Sequence, residues 1–275
     1  MKTRIQNAKK WLRPAAYSAG ALLLLTGLGF VEATNDRAVC NELVVDVDGR
    51  SDMHFIDADA VRAKVNQVAP ITGMALGDLP IKLIEDTLRT LPSVAAADAY
   101  HTLDGKLHVR VRQREPIVRV IVANGHDFYI DKDGWTMPVS DNWTARVPVA
   151  VGSILEPVTS QGVRNVLVAD SAAKDSRAAL VYSVALTLHS DPFWSAMIDQ
   201  IVVRTDGQFE LVPRVGPRRV MMGFGGQLHQ RLAKLNVFYE KGIANGDWRR
   251  YERLDLRFAD QVIATNRNQT TTSTH

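Results

Sequence analysis

The first 33 residues constrain the chain most, because a short basic segment is followed by one long apolar run. No acidic residue precedes Glu32, whereas five basic residues precede the run: Lys2, Arg4, Lys9, Lys10 and Arg13. As a helix, Pro14 to Val31 would span about 27 Å, close to the thickness of a thin hydrocarbon layer. Basic flanks of this kind stay in the cytoplasm. We therefore predict a cytoplasmic tail at 1–13, one transmembrane helix at 14–33 and a folded part beyond the membrane.

A secretory signal peptide is the alternative for the same segment. Val31-Glu32-Ala33 offers residues that a signal peptidase tolerates, and Leu22 to Leu25 could form the apolar region of such a peptide. The apolar run is longer than the usual signal region of about 7–15 residues. Its length favours a retained membrane anchor.

The composition limits the partners and the chemistry of the folded part. A hydrophobic content of 46% and a charged content of 23% are ordinary for a globular chain. The net charge is only +3 and is concentrated near the N-terminus, so nucleic acid is not expected as a partner. The single cysteine, Cys40, excludes an intrachain disulfide framework. We interpret it as a linker or strand-start residue; an intermolecular bridge or a lipid attachment is the alternative.

The pattern that follows the apolar run predicts a self-contained α+β domain at 40–115 in the order β-α-α-β-β. Alternation of apolar and polar residues indicates strands, and Asp and Pro residues mark the helix ends. The predicted elements are a strand at 43–48, helices between Asp57 and Pro70 and between Pro80 and Pro92, and a hairpin with strands at 94–101 and 107–111.

At Glu115-Pro116 the pattern changes to mainly antiparallel β structure with two helices, which predicts a β domain at 116–265. Proline favours an extended conformation of the residue before it, so this connector should be stiff. The polar segment 266–275 is predicted to be a disordered tail. The predicted strands are 117–122, 128–130, 201–203, 209–212, 219–222 and 251–265, and the predicted helices are 172–189 and 227 to about 241.

The sequence shows no catalytic constellation, so we expect no catalytic, cofactor or metal site and no small-molecule substrate. A periplasmic enzyme is the alternative. Ser171-Ala172-Ala173-Lys174 and Ser140-Asp141-Asn142 match two motifs of penicillin-binding enzymes, but in reversed order and without Lys-Thr-Gly. The seven histidines show no metal-ligand spacing. Asp131 to Gly134 predicts a hairpin turn rather than a calcium loop. The glycines at 223–226 precede a helix but lack the Lys-Ser/Thr of a phosphate loop.

Six short motifs, in order behind the basic-apolar segment, resemble the FtsQ/DivIB family of division proteins, and the resemblance covers about residues 10–265. The motifs are Leu91-Pro92-Ser93-Val94 followed by Ala97, Leu107-x-Val109-x-Val111, Arg114-Glu115-Pro116-Ile117-Val118, Tyr129 to Gly134, Pro148 with Gly152, and Arg253-Leu254-Asp255-Leu256-Arg257-Phe258.

The resemblance implies that the domain at 40–115 is a POTRA domain and that the protein is a non-enzymatic septum assembly factor of the divisome. It implies a single-pass protein of the inner membrane with a cytoplasmic N-terminus and a periplasmic bulk, located at the division septum. The implied partners are FtsB- and FtsL-like bitopic division proteins, which control the septal peptidoglycan synthase FtsW–FtsI. A chaperone-like POTRA module that handles outer-membrane polypeptides is the alternative, although such proteins usually carry several POTRA units or a barrel.

We expect partners to bind at the last strand, because an unpaired edge can accept a strand from another chain. The alternative is that Leu254, Leu256 and Phe258 are core residues. The candidate partner-binding residues are Arg253, Asp255, Arg257, Phe258, Asp260 and Val262, together with the basic residues Arg218 and Arg219.

Overall fold

The computed structural model describes residues 38–49, 53–122, 127–140, 143–154, 163–168, 176–243 and 250–267, together with Leu22, Leu23 and Thr26. The chain divides into two compact units. The first comprises residues up to Asp48 and Ile56–Gln113, and the second comprises Gly49–Phe55 and the residues from Arg114 onward.

The predicted membrane anchor at 14–33 lies outside the described residues, apart from three helical residues within it. There the hydroxyl of Thr26 donates to the carbonyl oxygen of Leu22 at 2.9 Å. Within the part of the chain that the structure describes, no helix has the length and apolar character needed to cross a membrane.

The first unit has the predicted order β-α-α-β-β. In its sheet β1 lies parallel to β3, and β2 lies antiparallel to β3 on the other side. The carboxylate of Asp57 accepts a hydrogen bond from the backbone N–H of Ala60 at 2.7 Å, which starts the first helix as the sequence predicts. The elements are β1 (Glu42–Asp48), α1 (Ala58–Val68), α2 (Ile81–Arg89), β2 (Val94–Thr102) and β3 (Lys106–Gln113).

The core of the first unit joins the two helices to one face of this sheet. Alternate residues of β3 are fully buried, as expected for a strand with one covered face. Cys40 is 1% exposed and belongs to the same core, so its side chain packs inside the unit. The main contributors are Val61 and Val65 of α1, Ile84 and Leu88 of α2, and Leu107, Val109 and Val111 of β3.

The second unit contains a nine-stranded sheet in the order β12-β11-β10-β9-β8-β7-β4-β5-β6. Its strands are β4 (Pro116–Val120), β5 (Phe128–Asp131), β6 (Thr136–Pro138), β7 (Val149–Gly152), β8 (Ile198–Val203), β9 (Phe209–Pro213), β10 (Arg219–Gly223), β11 (Tyr251–Asp255) and β12 (Ile263–Asn266).

This sheet is mainly antiparallel, as predicted, but it also contains three parallel pairings among its eight described ones. Strand β7 lies parallel to both β4 and β8, and β10 lies parallel to β11. Parallel neighbours require long connections, so short-range sequence patterns do not reveal them. At the end of β7 the backbone of Gly152 has φ +108°, and a Cβ atom there would lie 2.1 Å from the carbonyl oxygen of Val203. Glycine is therefore required where β7 ends against β8.

The described part of the second unit has three α-helices, whereas two were predicted. They are α3 (Ala178–His189), α4 (Pro192–Met197) and α5 (Leu228–Val237). The short helix α4 was missed, although Asp191 caps it through the N–H of Phe193 at 2.8 Å and Pro192 occupies its first position. These helices pack against one face of the sheet, where Val220, Leu235 and Leu254 are fully buried.

The opposite face of β5 and β6 is covered by a smaller cluster. Tyr129 and Met137 are buried there, and Phe55 packs edge-on against Tyr129 and Trp143, with ring centroids 5.7 and 4.5 Å apart.

The prediction of one strand over 251–265 is wrong. The chain forms two antiparallel strands, β11 and β12, joined by a loop at residues 256–262. The buried Leu256 still donates its N–H to the carbonyl oxygen of Met221 at 3.0 Å, but the exposed residues that follow reverse the chain direction.

Candidate partner-binding site

The two ends of the nine-stranded sheet differ in how they are covered. Beyond β6, the backbone of residues 163–168 pairs with the backbone of residues 134–136. The N–H of Thr136 donates to the carbonyl oxygen of Arg164 at 2.8 Å, and the N–H of Val166 donates to the carbonyl oxygen of Gly134 at 2.8 Å. Strand β6 also ends in Pro138, which has no N–H to offer a further strand. This edge is therefore closed to a partner.

Strand β12 forms the other end of the sheet, and no described strand pairs with its outer side. All four of its residues are exposed. The N–H of Arg267 donates to the carbonyl oxygen of Arg250 at 2.8 Å, so this group points toward β11. Because successive N–H groups of a strand point to opposite sides, those of Ala264 and Asn266 point away from the sheet. No strand of the described part of the chain pairs with these two groups.

Three of the predicted residues lie next to this edge, on the sheet face opposite the helices. Arg219 and Arg253 are neighbours in the parallel register of β10 and β11, and Asp255 follows two residues later. Alternate residues of both strands, Val220 and Leu254, point into the core instead. The arginine side chains are exposed, so they can meet a partner that lies over this face.

Asp255 forms a bidentate ion pair with Arg257. The guanidinium of Arg257 donates to its carboxylate through Nη2 at 2.6 Å and through Nε at 2.9 Å. The hydrogen bonds from Arg257 hold the pKa of Asp255 below its ordinary value. Asp255 is therefore charged at neutral pH, and its carboxylate is bound by Arg257 within the chain.

Two further basic residues of the candidate site, Arg218 and Arg219, are also paired with acidic residues. Arg219 and Arg204 both bind the buried carboxylate of Glu210, at 3.2 and 2.7 Å. The carboxylate of Glu252 forms ion pairs with two guanidinium groups, that of Arg218 at 3.6 Å and that of Arg267 at 3.4 Å. Glu210, Arg204 and Glu252 were not in the predicted site. Glu210 is a buried residue of β9, Glu252 is a half-buried residue of β11, and Arg204 is an exposed residue that follows β8. The sequence pattern around them does not identify their ion-pair partners.

The loop between β11 and β12 carries the other predicted residues. Phe258 is 43% exposed and Asp260 is exposed, whereas Val262 packs partly against the core. Leu254 and Leu256 are fully buried. The alternative that all three apolar residues belong to the core therefore holds for the two leucines and fails for Phe258.

Comparison with known proteins agrees with this architecture. Residues 38–112 match the POTRA-like domain, which defines the class of the first unit. Residues 115–265 match the family described as FtsQ/DivIB, C-terminal related. Because this second match covers more than half of the chain, the protein belongs to the FtsQ/DivIB family, as the sequence motifs indicated.

Two curated relatives are similar to most of the chain. The cell division protein FtsQ of Rhodothermus marinus is 29% identical over 201 residues, which cover 70% of this chain and 67% of that protein. The cell division protein FtsQ of Salinibacter ruber is 26% identical over 203 residues, which cover 71% of this chain and 73% of that protein.

Proposed function

We propose that this protein is a non-enzymatic septum assembly factor of the bacterial divisome. It is anchored in the inner membrane by the segment at 14–33, with its N-terminus in the cytoplasm and its bulk in the periplasm. It links early division proteins to the septal synthase FtsW–FtsI by capturing FtsB- and FtsL-like bitopic partners. Membership of the FtsQ/DivIB family supports this role. The domain bounds 40–115 and 116–265 are part of the same proposal.

The open edge at β12 is the observation that carries the proposal. A partner segment that adds as a tenth strand would receive main-chain hydrogen bonds from the outward N–H groups of Ala264 and Asn266. Phe258, in the loop that precedes β12, offers the partner segment an apolar contact. Arg219 and Arg253 beside the edge favour a partner segment that carries acidic side chains.

Replacing Phe258 by alanine tests this proposal. Because the ring is 43% exposed, we expect an almost unchanged melting curve, but an affinity for the partner that is about 5–30-fold lower, as for an aromatic interface residue. The partner segment is the periplasmic part of the FtsB-like protein of the same bacterium, and titration calorimetry measures its affinity.

Leu256→Ala is the matched control for Phe258→Ala. Leu256 is fully buried two residues earlier, so its truncation should cost about 2–5 kcal/mol of stability. Wild-type affinity of the Phe258 variant, together with normal folding, would remove Phe258 from the site.

The alternative function, a chaperone-like POTRA module, requires a sheet edge in the first unit that accepts client strands. One edge of this unit, at β2, is already occupied by side chains of α2. The carboxylate of Glu85 accepts the N–H of Ala99 at 2.9 Å, and the guanidinium of Arg89 donates to the carbonyl oxygen of Ala97 at 2.6 Å. The two side chains also form an ion pair at 3.1 Å. They satisfy the groups that an added strand would use, which argues against strand capture at β2.

The double substitution Glu85→Ala and Arg89→Ala should open the β2 edge. We expect the amide of Ala99 to exchange its hydrogen at least about tenfold faster, and the chain to self-associate in sedimentation experiments. The matched control is Asp59→Ala with Arg62→Ala, which breaks an ion pair of similar length on α1. A monomeric double variant with unchanged Ala99 exchange would show that these side chains do not close the edge.

A further inference from the structure

The loop that leads into β12 is bound by one side chain from a distant part of the sequence. The ammonium group of Lys234, in α5, donates to the carbonyl oxygen of Leu256 at 3.0 Å, to that of Phe258, and to that of Ala259 at 3.3 Å. A lysine ammonium has three N–H donors, so its whole hydrogen-bonding capacity is directed at this loop.

The other described contacts fix mainly the beginning and the end of the loop. Leu256 is held by its N–H bond to Met221, and Arg257 is held by its pair with Asp255. At the other end Val262 packs partly against the core. Between these points residues 257–261 are exposed. Lys234 therefore contacts the stretch in which the chain turns back toward the edge strand.

The same face of α5 holds the end of the neighbouring strand in a similar way. Arg231 lies three residues before Lys234, so both side chains project from one side of the helix. Its guanidinium donates to the carbonyl oxygens of Met222 at 2.5 Å and Phe224 at 2.6 Å, just where β10 ends. Two cations of one helix thus bind the backbone at the ends of two adjacent parallel strands, β10 and β11.

We propose that Lys234 is a positioning residue for partner binding: it holds the loop so that β12 lies in register against β11 and presents a preformed edge. This inference rests on the proposed role of β12 as the docking strand. Strand β12 is short and fully exposed, so side-chain burial contributes little to holding it. An edge that must be ordered during binding has a lower affinity than a preformed edge with the same contacts.

Lys234→Met tests the inference, because methionine keeps an apolar side chain and removes the ammonium group. We expect the amides of β12 to exchange hydrogen at least about tenfold faster, while the buried strands β8 and β9 keep wild-type exchange. The affinity for the partner segment defined above should fall about 5–10-fold as the edge loses its preformed conformation. Lys241→Met, an exposed lysine further along the same chain segment, is the control and should leave exchange and binding unchanged.

Different outcomes separate the failure of this inference from the failure of the proposed function. If Phe258→Ala lowers the affinity while Lys234→Met shows wild-type exchange in β12 and wild-type binding, the role of Lys234 is wrong. Faster exchange throughout β8 and β9 would make Lys234 a general stability residue and would also overturn the inference. If Lys234→Met loosens β12 while neither it nor substitutions in β12 affect binding, the docking role of the edge strand is wrong.

Discussion

Replacing Asp131 by alanine should lower the free energy of unfolding of the second unit by about 3–5 kcal/mol. Asp131 is fully buried at the end of β5, and its carboxylate binds Arg114 at 2.9 Å. The other carboxylate oxygen accepts the backbone N–H groups of Asp133 at 2.9 Å and Trp135 at 2.7 Å, which closes the turn into β6. The substitution removes all three contacts at once.

The cost is large because the groups left behind are shielded from water. The side chain of Arg114 is 10% exposed, and its guanidinium lies 5.1 Å from the centre of the Trp135 ring. A buried charge that loses its carboxylate is penalised far more than an exposed one. Chemical denaturation followed by tryptophan fluorescence measures the effect.

Asp199→Ala is the matched control for Asp131→Ala, because Asp199 also pairs with an arginine, Arg214, at 2.5 Å. Both side chains of that pair are about half exposed, so its loss should cost no more than about 1 kcal/mol. Equal costs for the two alanine variants would show that the buried pair has no special role in stability.

The first unit could be predicted from the sequence because its determinants are local. The cap at Asp57 and the tight turn at Gly105, with φ +85°, act within a few residues. The alternation of Leu107, Val109 and Val111 then specifies which face of β3 is buried. Each of these signals is complete within one element or one turn.

The second sheet could be predicted only in part, because several of its pairings join distant segments. The hairpin of β8 and β9 has a local signal in Asp206-Gly207, and it is present as predicted. Strand β7 has only four residues, and nothing in its sequence indicates that it lies between β4 and β8. A short apolar run does not specify its neighbours.

The candidate site shows the same division between local and distant determinants. The predicted alternation through Arg253, Leu254 and Asp255 is present in β11, where it places the leucine in the core. The pattern continues to Phe258, yet there the chain has left the sheet, since the loop bends where Lys234 binds its carbonyl groups. The sequence of the loop does not indicate that a side chain of α5 binds its carbonyl groups.

One outward backbone donor of the edge strand can be removed without changing the pairing of β12 with β11. The N–H of Ala264 points away from the sheet, since that of Arg267 points toward β11. Proline is tolerated in an edge strand when its nitrogen faces solvent. Ala264→Pro should therefore fold with a melting temperature close to that of the wild type.

In binding experiments, Ala264→Pro should weaken capture of the FtsB-like partner segment by roughly 2–3 kcal/mol, or about 30–150-fold. The substitution removes a donor to the incoming strand, and the proline ring occupies the space in which that strand would lie. Ala264→Val is the matched control, because it also enlarges the side chain but keeps the N–H, and valine suits a strand. It should bind like the wild type. If the proline variant binds as tightly as the valine variant, no strand is added at β12, and the arginine cluster around Arg218 and Arg219 becomes the docking surface to test.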